Sequence, residues 1–310
     1  MQIYRNIDEY IKPQYPIVTV GTFDGVHVGH KMILERLATL ANEKQGEVVL
    51  LTFYPHPRKV LFQDSAQLEM ITSLEDKIAL MKHFGVNHLV IQPFTIDFSK
   101  MEYEDFVKSI LVEKLGVKTL VIGYDHQFGH QRKGSMQELE RMAPALGFEV
   151  EEIPEQDIDA IAVSSTRIRN ALKKGDVEIA SHLLGYDYRL SGRVIKGKQL
   201  GRKLGFPTAN MLCSDSDQLV PAIGIYAVMV TWQNKLYKGA LSIGHRPTFD
   251  NGDKTIEVHI LDFEEDIYGD EITLHFKHYL RPELKFHTAE DLVTQMYKDK
   301  ELCYELLREA

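Results

Sequence analysis

Gly21-Thr22-Phe23-Asp24-Gly25-Val26-His27-Val28-Gly29-His30 is the stretch on which the reading of this chain turns. The apolar run Ile17 to Val20 leads into it and reads as a buried strand. After it, Met32, Ile33, Leu37, Leu40 and Ala41 fall on one face of a helix. Two histidines, three residues apart, therefore sit where a strand hands over to a helix N-terminus. Such an end presents free N–H groups and a positive dipole, both suited to phosphate. Glycines let the backbone approach a ligand closely. The histidines can donate N–H bonds to phosphoryl oxygens and to charge that grows on them. Two histidines at this spacing, taken alone, fit an ordinary solvated turn equally well.

From this stretch to about residue 185, strands and helices alternate. Strand-like runs are Ile17–Phe23, Val48–Phe53, His88–Ile91 and Leu120–Ile122. Helical patterns span Leu74 to Phe84, Tyr103 to Leu115 with Gly116 as its stop, and a segment from Ser135. Thr72 with Glu75, and Ser135 with Glu138, have capping-box spacing. This alternation predicts a mostly parallel sheet flanked by helices, with ligands beyond the strands' carboxyl ends. After Gly185 the period changes. Arg189–Ile195, Ile225–Trp232, Leu236–Ile243, Thr255–Leu261 and Ile272–Leu280 are short β-rich runs, separated by turns such as Gln233-Asn234 and 250–253. They predict a small antiparallel barrel or sandwich, closed by an amphipathic helix from Thr288 to Arg308. The expected domains are residues 1–185 and 186–310.

Composition bounds what the two halves can do. The chain has 310 residues, 44% of them hydrophobic, and a formal charge of -9. No basic block stands out, which argues against a general nucleic-acid binder. The two cysteines, Cys213 and Cys303, form no pair motif, so neither a disulfide framework nor a cysteine zinc site is expected. Met1 to Asn6 shows no signal-peptide pattern, and no segment is apolar enough to span a membrane. The expectation is a reduced, cytoplasmic protein.

Further clusters carry chemistry. Gly123-Tyr124-Asp125-His126-Gln127-Phe128-Gly129 follows a strand, so it too sits at a strand end. Ser164-Ser165-Thr166-Arg167-Ile168-Arg169 opens a helix; its hydroxyls can cap that helix or bind phosphate, and Arg169 adds a forked cation. The run from Gly129 to Ser135 has serine where a P-loop needs lysine, and no G-x-G-x-x-G follows the first strand. Later, Gly192 to Asn210 is a Gly- and Lys/Arg-rich loop ending in Pro207-Thr208-Ala209-Asn210. If extended, Thr208 and Asn210 share a face and offer two neutral oxygens, which suits Mg²⁺ already carrying phosphate. A polar connecting loop is the plain alternative. In Thr255 to Ile260, Ile256, Val258 and Ile260 form one face and Glu257 and His259 the other.

The string G-T-F-D-G-V-H-x-G-H resembles the prokaryotic bifunctional riboflavin kinase/FAD synthetase family, within the HxGH nucleotidyltransferases. Thr52-Phe53-Tyr54-Pro55-His56-Pro57-Arg58, the Asp125 cluster and the S-S-T-x-I-R string match it in order and spacing. The resemblance implies a Rossmann-like α/β adenylyltransferase domain followed by a β-barrel kinase domain with a C-terminal helix. It implies that Gly21, Phe23, Asp24, His27, His30, Ser165, Thr166 and Arg169 bind ATP in the first domain. Pro55, His56, Arg58 and Asp125 would lie on the FMN side. In the kinase domain it implies Gly197, Lys203, Gly205, Thr208 and Asn210 for ATP, with Mg²⁺ on Thr208 and Asn210. Glu257 would be the base toward riboflavin, with Arg281 and Glu283 on the flavin side. Ser242 stands where relatives often carry asparagine. The substrates implied are ATP, riboflavin and FMN, with FAD as product and no nucleic-acid or membrane partner; oligomeric state is unknown from sequence. Other HxGH transferases leave the C-terminal half without a role, and a tRNA synthetase needs a K-M-S-K-S-like loop that is missing.

Overall fold

A computed structural model describes residues 1–62, 68–123, 127–153, 163–197, 201, 205–245 and 254–308. Asp125, Lys203, the string 246–249 and the turn 250–253 lie outside the described residues. The chain divides into two compact units, Met1–Ser164 and Ser165–Ala310.

In the first unit, β1 (Gln2–Tyr4), β2 (Pro16–Val20), β3 (Glu47–Tyr54), β4 (His88–Pro93), β5 (Thr119–Gly123) and β6 (Glu149–Ile153) form one sheet. Its order is β1-β4-β3-β2-β5-β6, with every pair parallel. Every position of β2 and β5 is buried, as expected for central strands covered on both faces. On one face Val18, Val20, Leu51 and Ile122 pack with Phe106, Leu111 and Leu139. Residues of the other parity, such as Ile17, Leu50 and Val121, are also buried. The helix Val28–Lys44 packs against β2, β3 and β5. Strands β3 and β4 extend from β2 in one direction and β5 and β6 in the other. The crevice between the carboxyl ends of β2 and β5 is thus the switch point where such sheets bind ligands.

Two strands and three helix details differ from the sequence expectation. The short edge strand β1 and the acidic edge strand β6 have no apolar alternation to announce them. Glu149 and Glu151 of β6 pair with Lys44 and Arg36, so their charges are matched across the helix–strand boundary. The helix cap expected at Thr72 falls one residue later, at Ser73. Ser73 Oγ accepts from Asp76 N at 3.0 Å and donates to the Asp76 carboxylate at 2.8 Å, while Thr72 turns to the Gly25 amide. No box forms at Ser135, because Glu138 accepts instead from Tyr103 and Arg141. The helix from Tyr103 widens into a π-helical stretch, Phe106–Lys114, before Gly116 at φ 66° ends it.

The second unit opens with helices Ser165–Lys174 and Val177–Leu184. Then β7 (Arg189–Ile195), β8 (Ala209–Cys213), β9 (Gly224–Trp232), β10 (Lys235–His245), β11 (Lys254–Ile260) and β12 (Glu271–Arg281) close into an antiparallel barrel. The ladder runs β10-β11-β8-β7-β12-β9 and returns to β10. Gln233 and Asn234, at φ 47° and 61°, make the two-residue turn between β9 and β10 that matches strand twist. β8 has no apolar alternation to announce it; only Met211 of its five residues is buried. The division falls before the change of sequence period at 185, because the two helices pack on the barrel. Ala222 N donates to Leu172 O at 3.0 Å, and Glu178 accepts from Tyr279 N at 3.3 Å.

The helix Ala289–Leu306, capped by Thr288, covers the outer side of β9 and β10 with Cys303 and the following Leu307. Burial pushes the Cys303 thiol up to about 12, so it packs as an inert apolar group. Asp299 of this helix accepts two bonds from Arg281, at 2.9 and 2.6 Å, and one from Gln295. Both members of that ion pair are largely shielded, with side chains 16% and 9% exposed. Removing one partner of such a pair strands the other charge. Asp299→Ala is therefore expected to destabilise the protein by about 3 kcal/mol in urea unfolding.

Candidate active sites

The first site is built on the turn after β2. Gly21 N donates to Leu51 O at 3.0 Å, so the turn begins while still tied to β3. It then bends sharply, with Phe23 at φ 46°, Gly25 at φ 85° and Val26 at φ 37°. A β-branched residue in the left-handed region costs roughly 1–3 kcal/mol and persists only where the surroundings impose it. Those surroundings come from the segment before and within helix Leu74–His83. Asp24, 2% exposed, accepts from Ile71 N at 3.0 Å and Thr72 N at 3.4 Å. Gly25 N donates to Thr72 Oγ1 at 3.2 Å, and a Cβ on Gly25 would lie only 3.0 Å from Ile71. Lys77, 7% exposed, donates to Thr22 O at 2.8 Å.

The turn delivers the two histidines as a stacked pair. Their ring centroids are 3.6 Å apart at 15°, and Phe23 packs on His30 at 4.8 Å. His27 is the N-cap of helix Val28–Lys44, its Nδ1 accepting from His30 N at 3.3 Å. Nδ1 is then unprotonated, and the neutral ring carries its proton on Nε2. Burial lowers His27 to about 4. His30 is held well below its ordinary value by burial, by His27 and by Lys77. The His30 Nδ1 atom is shut off from solvent with no hydrogen-bond partner among the described residues. A second ring N–H would be buried there without an acceptor, which independently disfavours the imidazolium. Both rings are neutral N–H donors at neutral pH.

Other expected residues of this half take these places. Pro55, joined to Tyr54 by a cis peptide, and His56 follow the carboxyl end of β3, beside β2 in the sheet. His56 caps the short helix Pro57–Leu61, its Nδ1 accepting from Arg58 N at 3.2 Å. Ser165, Thr166 and Arg169 open the first helix of the second unit. Arg169 is buried at 9% exposure, Thr166 is exposed and Ser165 is half-buried.

The second site lies on the barrel. Ile256, Val258 and Ile260 point inward, and Glu257 stands half-buried on the outer face. In register, Ser242 of β10 and Asn210 of β8 flank Glu257 directly. Thr208 Oγ1 lies 3.4 Å from the Glu257 carboxylate. The three oxygen donors anticipated from sequence thus converge, and Ser242 joins their row. Gly197 makes room for them, since a Cβ there would fall 2.3 Å from Asn210 Nδ2. Gly205 takes φ 82° in the same loop. His259, next on that face, donates from Nδ1 to Pro207 O at 2.8 Å and fixes the chain just before Thr208. Burial lowers its basicity, which makes Nδ1–H of the neutral ring the donor. Beside Thr208 a cavity of about 310 Å³ opens between Val194, Val258 and Ile260 of the barrel and the segment 263–268.

Of the residues expected on the flavin side, Glu283 Oε1 lies beside Gly244, two residues along β10 from Ser242, where a Cβ would stand 3.1 Å from it. Arg281 is committed to Asp299 rather than presented outward. Sequence reading missed Lys77 and Asp299, and took Thr72 for a helix cap rather than for the partner of the Gly25 amide. Each acts on a residue more than a dozen positions away, a partnership that no local pattern marks.

Two family patterns match the chain in succession. The FAD synthetase family pattern matches residues 11–167 and the riboflavin kinase pattern residues 184–307. A protein of Listeria monocytogenes, "Bifunctional riboflavin kinase/FMN adenylyltransferase", is 39% identical over 92% of this chain and 90% of its own. Like-named proteins of Haemophilus influenzae and Bacillus subtilis are 37% and 36% identical, each over 92% of this chain and over 92% and 90% of their own. A crystal structure described as a macrolide-efflux protein from Streptococcus pneumoniae is 30% identical with TM-score 0.89, covering 97% of this chain and 98% of its own. Among the described residues no helix is long and apolar enough to cross a membrane. The chain belongs to the bifunctional riboflavin kinase/FMN adenylyltransferase family.

Proposed function

We propose that the barrel unit phosphorylates riboflavin to FMN and that the parallel-sheet unit adenylylates FMN to FAD. The observation that supports this is that each unit carries groups suited to phosphate chemistry: a neutral histidine pair at a helix N-terminus in one, and Thr208, Asn210 and Glu257 side by side on the barrel in the other, with Thr208 also lining a cavity. In the barrel, Glu257 accepts the proton of the riboflavin 5′-hydroxyl as that oxygen attacks the γ-phosphorus of ATP, and ADP leaves. Thr208 orients the carboxylate. Thr208 and Asn210 are neutral hard oxygen donors, a pair that fits Mg²⁺ with phosphate and water completing its shell. The ion would supply charge neutralisation for the ATP phosphates. Arg281, through Asp299, fastens the end of β12 that leads to Glu283 on the flavin side.

In the sheet unit, an FMN phosphate oxygen attacks the α-phosphorus of ATP, and pyrophosphate leaves. That nucleophile is already ionised, so no protein base is needed. His27 and His30 donate Nε2–H bonds to the nucleotide, with the helix N-terminus adding its dipole. Pro55, His56, Arg58 and Asp125 serve the FMN side. Lys203 serves the kinase ATP. ATP chemistry on flavins suits the cytoplasm.

Incubation with riboflavin, ATP and Mg²⁺, followed by chromatography of the flavins, tests the whole reading: FMN should appear first and FAD after it. Fragments separate the activities. Residues 165–310 should convert riboflavin to FMN and make no FAD. Residues 186–310, the boundary proposed from sequence, should do so less stably, because helices Ser165–Lys174 and Val177–Leu184 pack on the barrel. FAD from either fragment overturns the assignment of the sites.

A further inference from the structure

We propose that Tyr297 and Tyr304 of the C-terminal helix are positioning residues for riboflavin phosphorylation: Tyr297 braces the chain at Thr208, and Tyr304 braces the wall of the cavity beside it. This rests on the kinase reading above, in which Thr208 orients the Glu257 carboxylate and stands at the ATP phosphates.

Asp299, Cys303 and the following Leu307 recur every four residues and are buried, so this one side fastens the helix Ala289–Leu306 to the barrel. Tyr297 and Tyr304, seven residues apart, share a different face. Fastening does not require it, since Tyr297 is 55% exposed. Each of the two tyrosines nevertheless reaches a segment that borders the kinase site. The Tyr297 ring meets Phe206 edge-on, with centroids 4.8 Å apart. Phe206 is 3% exposed and also meets the His259 ring at 5.3 Å. It is thus held between the helix and β11, two residues before Thr208. Tyr304 Oη donates to Asp262 Oδ1 at 2.7 Å. Asp262 has φ 53°, a left-handed conformation that a residue other than glycine keeps only where its surroundings impose it. This residue turns the chain out of β11 into the segment 263–268, which walls the cavity together with Thr208. The far end of that wall is tied to the barrel, where Gly269 N donates to Val194 O at 2.9 Å. Phe263 rests on Trp232 and Tyr237, but the direction in which the chain enters the wall is set at Asp262. A nucleotide with its phosphates at Thr208 has its nucleoside at this cavity. The placement of the wall therefore governs how well ATP binds, and the placement of Thr208 governs how well Glu257 is aimed.

The test uses the full chain. Tyr304→Phe removes only the hydroxyl. It is expected to raise KM for ATP in riboflavin phosphorylation about 3- to 10-fold, the scale of one hydrogen bond, with kcat unchanged. Adding Asp262→Gly should return KM to near the parent value, because glycine takes the left-handed turn without a brace. A bond that merely stabilised the fold would give the double variant a further loss instead. Tyr297→Ala is expected to lower kcat roughly 10-fold by displacing Thr208. Tyr297→Phe keeps the ring contact and should match the parent. FAD formation from supplied FMN should be the same in all of these variants. An unmoved KM in Tyr304→Phe, no rescue by Asp262→Gly, or equal kinase rates in Tyr297→Ala and Tyr297→Phe overturns the proposal. If Tyr304→Phe does not fold, Asp262→Ala decides in its place, since it removes the same bond and should raise KM equally. A parent protein inert on riboflavin overturns the kinase reading itself, whereas an active parent with any of the contrary results overturns only the braces.

Discussion

Glu257→Gln is expected to slow riboflavin phosphorylation by about 10²- to 10⁴-fold, the contribution of a positioned general base. Glutamine keeps the shape of the side chain and can still accept from Thr208, now 3.4 Å from the carboxylate. It cannot take the proton of the riboflavin 5′-hydroxyl. Neighbouring strands hold the position on both sides, Ser242 on β10 and Asn210 on β8, so the substitution leaves the barrel intact. Binding of riboflavin and ATP should persist, which places the loss in kcat. FMN supplied directly should become FAD at the parent rate, because its phosphate needs no deprotonation by Glu257. The measurement is the initial rate of each step, with products separated by chromatography. Phosphorylation close to the parent rate would make Glu257 part of an ordinary solvated strand face, and the base would have to be sought elsewhere.

His30→Ala is expected to cut FAD formation by roughly 10²–10³, the scale for losing one preorganised donor at a developing charge. The ring is stacked on His27 and packed by Phe23, so its removal also loosens the partner histidine. FMN formation belongs to the other unit and should be unchanged. An equal fall in both activities would show misfolding and remove the support for His30 as a donor. The pH dependence follows in sign from the lowered basicity of both rings. A histidine held neutral when folded, with its pKa below the unfolded value, favours the native state above the ordinary histidine range. That contribution is lost as pH falls through the unfolded value and toward about 4, where His27 gains its proton.

Much of this was legible from local pattern. Continuous apolar runs announced β2, β3, β4 and β5, because strands covered on both faces need them. Strict alternation announced β11, where Ile256, Val258 and Ile260 are inward and Glu257 outward. The strand–turn–helix at His27 and His30 was visible because its parts are neighbours in the chain. Strands β1, β6 and β8 were not visible. They are short, charged or half-exposed, and their pairing depends on a partner already in place. The helix cap is Ser73 rather than Thr72 for a tertiary reason: the Thr72 hydroxyl accepts from Gly25 N.

The sequence by itself determined the two-part architecture, the order of the motifs and the residue types on which the proposed chemistry rests. These depend on period, spacing and the chemistry of single side chains, all of which are local. Only the tertiary structure decided that Lys77, Asp24 and Thr72 brace the histidine turn. It alone grouped the helices of residues 165–184 with the barrel and directed Arg281 to Asp299. Each of these joins groups far apart in the chain. No local propensity encodes them; burial brings a cation, a carboxylate or a free amide out of water, and the folded chain must then supply its partner.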